Sequence, residues 1–338
     1  MELRNQTACH TLAFKGRSID DEPFHVVVLR STWSIPRDGE SMRLLPEQEP
    51  LVMADVYHGA PGRSSPRVES DLAPYKPRAD VSVVGHARAP GGVARASWEA
   101  SVRVGDVAKA VRVTGPRRWE RAREWALSEP EPCVEVPLRY ELAFGGTARS
   151  ADGAREEPYP ENPVGTGFAP AWAREGVDVI EAPRIESPDD PVTALGDSHS
   201  PAGLGLLGRA WQPRLARAGT YDDAWLERTW PRLPSDFDFA YWNAAHPDLT
   251  ARRWLRGDEA VELVGLFADG PRRFRLPGVW VYVLAIPEDG PMLPFPMKLD
   301  TVSFDVDAGT AALVWRLALP TAPVFEAIEP RMAARVGA

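Results

Sequence analysis

The sequence predicts a mainly β fold, built from antiparallel sandwich-like or barrel-like sheets with long ordered loops and few short helices. Short runs rich in β-branched residues recur along the chain, and several flank turn sequences that join antiparallel strands without a crossover helix. The 34 prolines among 338 residues are about twice ordinary usage. Long loops must therefore connect the strands.

Strand candidates begin near the start of the chain. The valine-rich stretch Phe24–Trp33 predicts a buried strand, and weaker β signals follow in residues 41–45, 50–58 and Asp80–Ala89. In residues 59–78, proline, glycine and serine argue against regular structure.

The clearest local unit is a β-hairpin. Trp98–Val104 and Ala108–Val113 alternate apolar and polar residues around Gly105-Asp106, a dipeptide suited to a tight turn. Glu135–Phe144 predicts one further strand, which ends at Gly145-Gly146.

A long segment, residues 151–194, is polar and rich in proline and glycine. Such a stretch is uncommon inside a compact domain and is typical of a functional loop or of a crossing between lobes. The sequence therefore leaves two arrangements open: a single domain over 1–338, or two β lobes, 1–150 and 195–325, joined by this segment.

The β signal returns in the last third of the chain. Val261–Phe267 and Arg272–Leu276 flank a turn, and Val279–Ile286 predicts a strong strand. A second hairpin joins Thr301–Val306 to Thr310–Leu317 through an Asp-Ala-Gly turn.

Aromatic residues are densest between residues 201 and 243, where four of the 12 tryptophans lie. Such rings are costly to leave in water, so they form a local core, a partner-binding surface or both, and burial is the commoner outcome. The run favours a compact loop with one short helix at Asp222–Thr229, capped by an aspartate at its start. A second helix is predicted at Glu326–Val336, with Pro330 in its first turn.

Charge and composition argue against several classes of function. The net charge of −9 gives no overall electrostatic footprint for nucleic acid or an anionic membrane. No apolar run approaches the roughly 20 residues that span a bilayer, and the first ten residues lack the apolar core of a signal peptide. Cys9 and Cys133 allow one disulfide at most. We expect a cytoplasmic protein with no nucleic-acid partner and no membrane insertion.

No residue pattern spells out a catalytic mechanism. The six histidines lack metal-ligand spacing, so neither a metal nor a cofactor is predicted. His58 follows Asp55 by three residues, which is half of a catalytic triad, but no Gly-x-Ser-x-Gly sequence supplies a nucleophile. His199 lies in Gly-Asp-Ser-His-Ser, which is better explained as a turn. A hydrolase or carbohydrate-active enzyme using His58 or His199 with a nearby acid is an alternative.

Charged residues of the long loops have a structural interpretation. Asp71 with Lys76, and Arg214 with Asp222, are candidates for buried or half-buried ion pairs that pin these loops. The arginines of residues 117–123 are interpreted as a solvated face rather than an anion site.

Residues 68–92, VESDLAPYKPRADVSVVGHARAPGG, resemble the signature of the domain of unknown function 2169, found in bacterial proteins associated with type VI secretion. Further segments agree, in order, along nearly the whole chain. They are Asn5-Gln-Thr7, PLRYELAFGG (137–146), NPVGTG (162–167), residues 201–203, WQPR (211–214), residues 218–222 with Trp225, residues 236–238 and residues 243–245. One segment departs: Gly115-Pro116-Arg117-Arg118-Trp119 replaces the Gly-Asp-Arg that the family favours before a tryptophan.

The resemblance implies an adaptor or chaperone and no catalytic residues. Related proteins look like cytoplasmic factors that stabilise a toxic effector and help to load it onto the secretion spike, the VgrG protein with its PAAR tip. We therefore predict the effector and the VgrG/PAAR spike proteins as partners. A structural component of the spike is a further alternative.

The residues predicted to bind the partner belong to types that dominate interface energetics, or lie beside such residues. The first set is Trp211, Arg214, Tyr221, Asp222 and Trp225, and the second set is Asp71, Tyr75 and Lys76.

Overall fold

The structure, a computed structural model, describes residues 1–334. Over this range 25 strands and one α-helix are joined by long loops. The first strands are β1 (Glu2–Leu3), β2 (His10–Arg17), β3 (Pro23–Ser34), β4 (Val56–Tyr57), β5 (Pro66–Val68), β6 (Asp80–Val84), β7 (His86–Arg88), β8 (Ser97–Val104), β9 (Val107–Thr114), β10 (Arg118–Arg121), β11 (Trp125–Leu127) and β12 (Glu135–Pro137).

The remaining elements follow in chain order. They are β13 (Phe144–Gly145), β14 (Thr147–Arg149), β15 (Glu156–Pro158), β16 (Thr166–Gly167), β17 (Val179–Glu181), β18 (Ile185–Glu186), helix α1 (Asp223–Arg228), β19 (Ala260–Val264), β20 (Arg272–Arg275), β21 (Val279–Pro287), β22 (Leu293–Pro296), β23 (Lys298–Asp305), β24 (Thr310–Pro320) and β25 (Phe325–Ala334). Short 3-10 helices lie at Pro90–Gly92, Tyr140–Leu142, Ala171–Arg174, Leu215–Arg217, Phe239–Trp242 and Pro247–Leu249.

Three larger sheets contain most of the long strands. Sheet I has the order β2-β3-β24-β23-β6, sheet II the order β18-β9-β8-β19-β20, and sheet III the order β1-β25-β21-β22. Neighbours in these sheets are antiparallel except β6 with β23 and β1 with β25. The predicted mainly β class with antiparallel sheets is confirmed.

The apolar faces of the three sheets share one core. Leu29 and Phe304 come from sheet I, Leu263 and Phe274 from sheet II, and Ile328 from sheet III. The rings of Phe274 and Phe304 meet edge to face with their centroids 6.2 Å apart. Sheets I and II therefore pack as a sandwich, since side chains of their inner faces interdigitate.

Most of the predicted strands are confirmed. Phe24–Trp33 lies within β3, and Val279–Ile286 lies within β21. The hairpin at Gly105-Asp106 joins β8 to β9, and the Asp-Ala-Gly turn joins β23 to β24. These strands were recognisable because each pairs with its sequence neighbour across a short turn.

The continuous strand predicted at Glu135–Phe144 is wrong in its middle, although its two ends lie in β12 and β13. Strand β12 stops at Pro137, and a 3-10 turn follows at Tyr140–Leu142. The buried Asn162 side chain donates to the carbonyl oxygens of Tyr140 (2.8 Å) and Phe144 (3.0 Å), which holds the chain in this curved course. Two smaller predictions also fail: residues 41–45 form only an isolated bridge at Leu44, and residues 59–78 contain the short strand β5.

The helix predicted at Glu326–Val336 is wrong where the structure describes it. Strand β25 occupies Phe325–Ala334, between β1 and β21; residues 335 and 336 lie outside the described range. The carbonyl oxygen of Pro330 accepts from Gln6 N at 3.2 Å. Pro330 therefore turns its nitrogen away from β21, so the missing N–H breaks no hydrogen bond to that strand. Pairing with apolar β21 overrides local helix propensity.

The two lobes considered at 1–150 and 195–325 are interleaved in space. Strand β3 pairs with β24 in sheet I, and β8 pairs with β19 in sheet II. Both five-stranded sheets thus combine the two halves of the chain. No helix within residues 1–334 is long and apolar enough to cross a membrane, and both cysteines are free.

Candidate functional site

Sheet I buries a polar face as well as an apolar one. Because side chains alternate along a strand, Arg30, Asp80, Ser82 and Arg316 project opposite the core. These side chains are buried too, since the long loops cover them. Asn243, for example, donates from its side chain to the Asp80 carboxylate at 2.9 Å.

Acidic and basic side chains on this face form ion pairs, and some of them contact more than one opposite charge. We name these side chains the charge network. Its ion pairs are Arg30–Asp71 (3.5 Å), Lys76–Asp80 (2.8 Å), Arg209–Asp55 (2.8 Å), Arg316–Asp300 (2.7 Å) and Arg214–Glu69. Four members, Glu69, Asp71, Lys76 and Asp80, come from residues 68–92, so the network accounts for the three acids and the lysine of that segment.

Lys76 lies at the centre of the charge network. Its Nζ donates to Asp80 at 2.8 Å and to Thr301 Oγ1 at 3.1 Å, and Glu69 lies 3.8 Å away. Burial acts to lower the pKa of Lys76, but the Asp80 and Glu69 carboxylates outweigh it, and the net shift is upward. Lys76 is therefore charged at neutral pH, and it pairs with these acids rather than with the predicted partner Asp71.

Arg214 connects the aromatic-rich segment, residues 201–243, to the charge network. It is only 2% exposed and donates to the Glu69 carboxylate, to Leu207 O at 2.9 Å and to Tyr241 O at 2.7 Å. The predicted Arg214–Asp222 pair is absent, because Asp222 caps helix α1 instead.

Asp71 is held by backbone and side-chain donors. It accepts from Val52 N at 2.8 Å, and Arg30 lies 3.5 Å away. Burial raises the pKa of Asp71, although Arg30 opposes the shift. Arg316 donates to the carbonyl oxygens of Asp71 and Ala73. The loop is thereby fixed to sheet I.

The charge network encloses a cavity of about 30 Å³, enough for roughly one or two waters. The predicted partner-binding residues Asp71, Lys76 and Arg214 are buried within the charge network. Trp211 is buried too, with its ring edge-on to Tyr140. Their side chains thus stabilise the interior. Tyr75 is half-buried, edge-on to both Phe239 and Trp254.

A second feature is an exposed loop around α1, which we name the aromatic knob (residues 219–236). Asp222 begins the helix by accepting from Trp225 N at 2.8 Å, as predicted. At the base of the knob, Asp236 accepts from Thr220 N at 3.0 Å and from Thr220 Oγ1 at 2.7 Å. Hydrogen bonds of Asp236 therefore close the base of the knob, and the Asp222 side chain caps the helix inside it.

The interior of the knob is organised by Trp225. Its indole N–H donates to Arg232 O at 3.0 Å, and its ring meets Tyr221 edge-on at 4.7 Å. Helix α1 has no buried residue, so these local contacts hold its shape without support from the core.

Large apolar side chains of the knob face solvent. Tyr221 is 52%, Leu226 59% and Trp230 62% exposed. Three predicted residues, Tyr221, Asp222 and Trp225, thus lie in the knob, whereas the prediction missed Leu226 and Trp230. A sequence segment rich in aromatic residues indicates that burying its rings is favourable. It does not indicate which of these side chains remain exposed in the folded protein.

The two histidines of the alternative enzyme, His58 and His199, have different surroundings. Asp55 does not orient His58, because its carboxylate binds Arg209 and accepts from Ser70 N at 2.9 Å. His199 Nδ1 lies 2.9 Å from Asp190, but the Nε2 of His199 is buried without a hydrogen-bond partner among the described residues.

His58 nevertheless lines a polar cleft together with a second histidine, His86. The cleft has a volume of about 450 Å³ and is lined by His58, His86, Arg139 and Asp307, among others. His86 Nδ1 lies 2.7 Å from Asp307. Burial lowers the pKa of His58, despite the opposing Glu141, so this imidazole is neutral at neutral pH. The described residues contain no cluster of three or more metal-ligating side chains.

Comparison with known families gives one result. A family model described as "Uncharacterized protein conserved in bacteria (DUF2169)" matches residues 20–316. The comparisons with curated proteins and with solved structures find no match.

Proposed function

This chain belongs to the DUF2169 family of proteins conserved in bacteria, and we propose that it is a non-enzymatic adaptor that binds a client protein through the aromatic knob. The observation that carries the proposal is the exposure of Tyr221, Leu226 and Trp230 on one closed loop. Grouped large apolar side chains on a surface are typical of a protein-binding site.

The construction of the knob supports this role. A helix without buried residues adds nothing to the core, so its contribution lies at the surface. Tryptophan and tyrosine are enriched among the residues that dominate binding energy. The Asp222 cap and the Asp236 closure order the loop before binding, which reduces the entropy lost on association.

The resemblance to proteins associated with type VI secretion is the basis for proposing which client the chain binds and where it binds it. We propose that the chain stabilises a toxic effector in the cytoplasm and helps to load it onto the VgrG/PAAR spike. The buried charge network serves this role as a rigid base, because it fixes the chain at Arg214, just before the knob begins.

The test is a pull-down of the tagged protein from its native cytoplasm, with identification of the bound proteins by mass spectrometry. We expect one toxin-like protein together with a spike component. The double variant Leu226→Ala/Trp230→Ala should lose both. Trp280→Ala, which removes a 42% exposed tryptophan of β21 outside the knob, should retain them. Equal recovery by the two variants, or recovery of neither protein by the native chain, contradicts the proposal.

A second candidate is hydrolysis in the cleft that contains His58 and His86. The observation that favours it is the Asp307 carboxylate 2.7 Å from His86 Nδ1, which orients the ring as a general base requires. The nine lining residues include no serine, threonine or cysteine, so such an enzyme would activate water. Turnover of a nitrophenyl ester or phosphodiester that is lost in His86→Ala and kept in His199→Ala would favour this function over the adaptor.

A further inference from the structure

Two clefts adjoin beside the edge of sheet II. Their volumes are about 730 Å³ and 910 Å³, and Ala260 and Arg275 line both. We name the combined depression the arginine groove. The arginines that line it are Arg103, Arg252, Arg253, Arg256, Arg273 and Arg275.

Most of these arginines lack an acidic partner within the chain. Arg256 pairs with Asp258 at 3.2 Å, and Arg273 pairs with Glu262 at 2.8 Å. The other four are exposed, and among residues 1–334 their side chains have no ion pair and no hydrogen bond. They are Arg103, Arg252, Arg253 and Arg275.

Most acidic side chains that line the groove already have an ion-pair or hydrogen-bond partner within the chain. Lys109 binds Asp248 at 2.8 Å, and Glu259 accepts from the backbone N–H groups of Arg256 and Gly257.

Glu40, Asp106 and Glu262 line the groove as well; Glu262 pairs with Arg273, and Glu40 accepts from Arg37 N at 3.4 Å. Among residues 1–334, Asp106 is the one acid of these five whose side chain has neither an ion pair nor a hydrogen bond, against four such arginines. The unpaired charges of the groove are therefore mainly cationic, on a chain whose net charge is −9.

The groove also offers backbone hydrogen-bonding groups. Strand β20 is an edge strand of sheet II. Ala260, opposite Arg275, directs its carbonyl oxygen to Gly105 N on the other side. By strand alternation, Arg275 turns its own N–H and C=O away from β19 and toward the outer edge. At Arg273 this edge is covered, since Gly39 N donates to the Arg273 carbonyl oxygen and the Arg273 N–H donates to Asp38, so the part of the edge that is open is at Arg275.

The chemistry of the groove favours an acidic polypeptide over nucleic acid. The two aromatic rings that line it are engaged: Phe274 packs on Phe304, and Trp254 lies between Tyr75 and Lys298. Neither ring is free to stack on a base, as single-stranded nucleic acid requires. Each cleft by itself lies within the range of small-ligand sites, which extends to about 1,000 Å³, but the two together exceed that range and suit an extended chain.

We infer that the arginine groove binds an acidic, extended segment of a protein partner, whose carboxylates pair with Arg103, Arg252, Arg253 and Arg275. Guanidinium groups bind carboxylates with two parallel hydrogen bonds, and the open edge at Arg275 binds the backbone of the same segment. The site is separate from the aromatic knob and does not depend on the proposed adaptor function.

The experiment measures binding of a fluorescein-labelled octaglutamate peptide by fluorescence anisotropy. We expect saturable binding that weakens as salt concentration rises. The charge-reversal variant Arg252→Glu/Arg253→Glu/Arg275→Glu should bind at least about tenfold more weakly. A control, Arg118→Glu/Arg149→Glu/Arg155→Glu, reverses three exposed arginines elsewhere and should bind as the native chain does. Circular dichroism establishes that each variant is folded.

Three results would overturn the inference. The first is equal octaglutamate affinity in the two triple variants. The second is tighter binding of a single-stranded DNA of matched charge, and the third is full competition by inorganic phosphate at equal total charge. The knob variant Leu226→Ala/Trp230→Ala should keep its octaglutamate affinity, so failure at the groove is distinguishable from failure at the knob.

Discussion

The charged residues of segment 68–92 that belong to the charge network are buried and stabilise the interior. Glu69 shows this most clearly, because Arg214, Arg209 and Lys76 all lie within ion-pair distance of its carboxylate. A buried acid with several cations is stable only while the set is complete. The interior arrangement explains why these residue types occur in the loops without placing them at a docking surface.

Replacement of Arg214 by methionine tests the charge network. Loss of the guanidinium leaves Glu69 buried with weaker compensation and leaves two carbonyl oxygens without a donor. We expect the free energy of unfolding to fall by about 3 kcal/mol, measured by guanidinium denaturation. The double variant Glu69→Gln/Arg214→Met should recover part of this loss.

Arg149→Met provides the matched control. Arg149 pairs with Glu156 at 3.1 Å, but both side chains are exposed, and surface pairs contribute about 0–1 kcal/mol. A loss for Arg149→Met as large as that for Arg214→Met would show that burial does not govern these pairs.

Sequence reasoning at this scale succeeded where the contact is local. The Asp222 cap joins residues three positions apart, so helix-start chemistry predicts it. The Arg214–Glu69 pair joins residues 145 positions apart. Both charges were visible in the sequence, but nothing in their spacing indicated that they meet.

At the scale of elements, the aromatic knob combines an exposed helix with an ordered base. Its two hydrogen bonds from Thr220 lower the pKa of Asp236. A lowered pKa means that closure is present above the ordinary value of 3.8 and is lost as the pH falls through the lower folded-state value. The knob is therefore expected to stay closed at neutral and mildly acidic pH.

Asp236→Ala should open the base of the knob at neutral pH without removing an aromatic ring. We expect faster proteolytic cleavage within residues 219–236, weaker client binding and an unchanged global unfolding midpoint, because the knob has few ties to the core. Ser235→Ala, at an adjacent exposed position, is the control. Unchanged cleavage in Asp236→Ala would mean that the Thr220 contacts do not order the loop.

Element types were predictable where strands pair with their neighbours in sequence and not where they pair at a distance. The hairpin around Gly105-Asp106 is local, and its turn residues specify it. Strand β25 pairs with β1, at the other end of the chain. Its Glu, Ala, Met and Arg residues favour a helix locally, so only the pairing determines the strand.

At the scale of the whole molecule, distant parts of the chain complete the same sheets. Strand β24 pairs with β3 along eleven residues of each strand. Residues 185–186 add a strand to sheet II beside β9. The segment 151–194 is thus more than a connection between lobes, because one of its strands belongs to a main sheet.

Fragments 1–150 and 195–325 are expected not to fold when expressed separately, since each lacks strands that complete the other's sheets. Near-ultraviolet circular dichroism should detect no fixed tertiary structure in either fragment. The full chain should unfold with coincident fluorescence and circular dichroism transitions. Cooperative unfolding of an isolated fragment would contradict this expectation.

By itself, the sequence determined the β class, the local hairpins, the capped helix and the family resemblance. Each of these depends on residues close together in the chain or on a continuous motif. Only the tertiary structure decided that Asp71, Lys76 and Arg214 are internal, that Leu226 and Trp230 are external, and that unpaired arginines line one groove. Burial and charge pairing depend on contacts between distant segments, and composition and periodicity do not encode which segments meet.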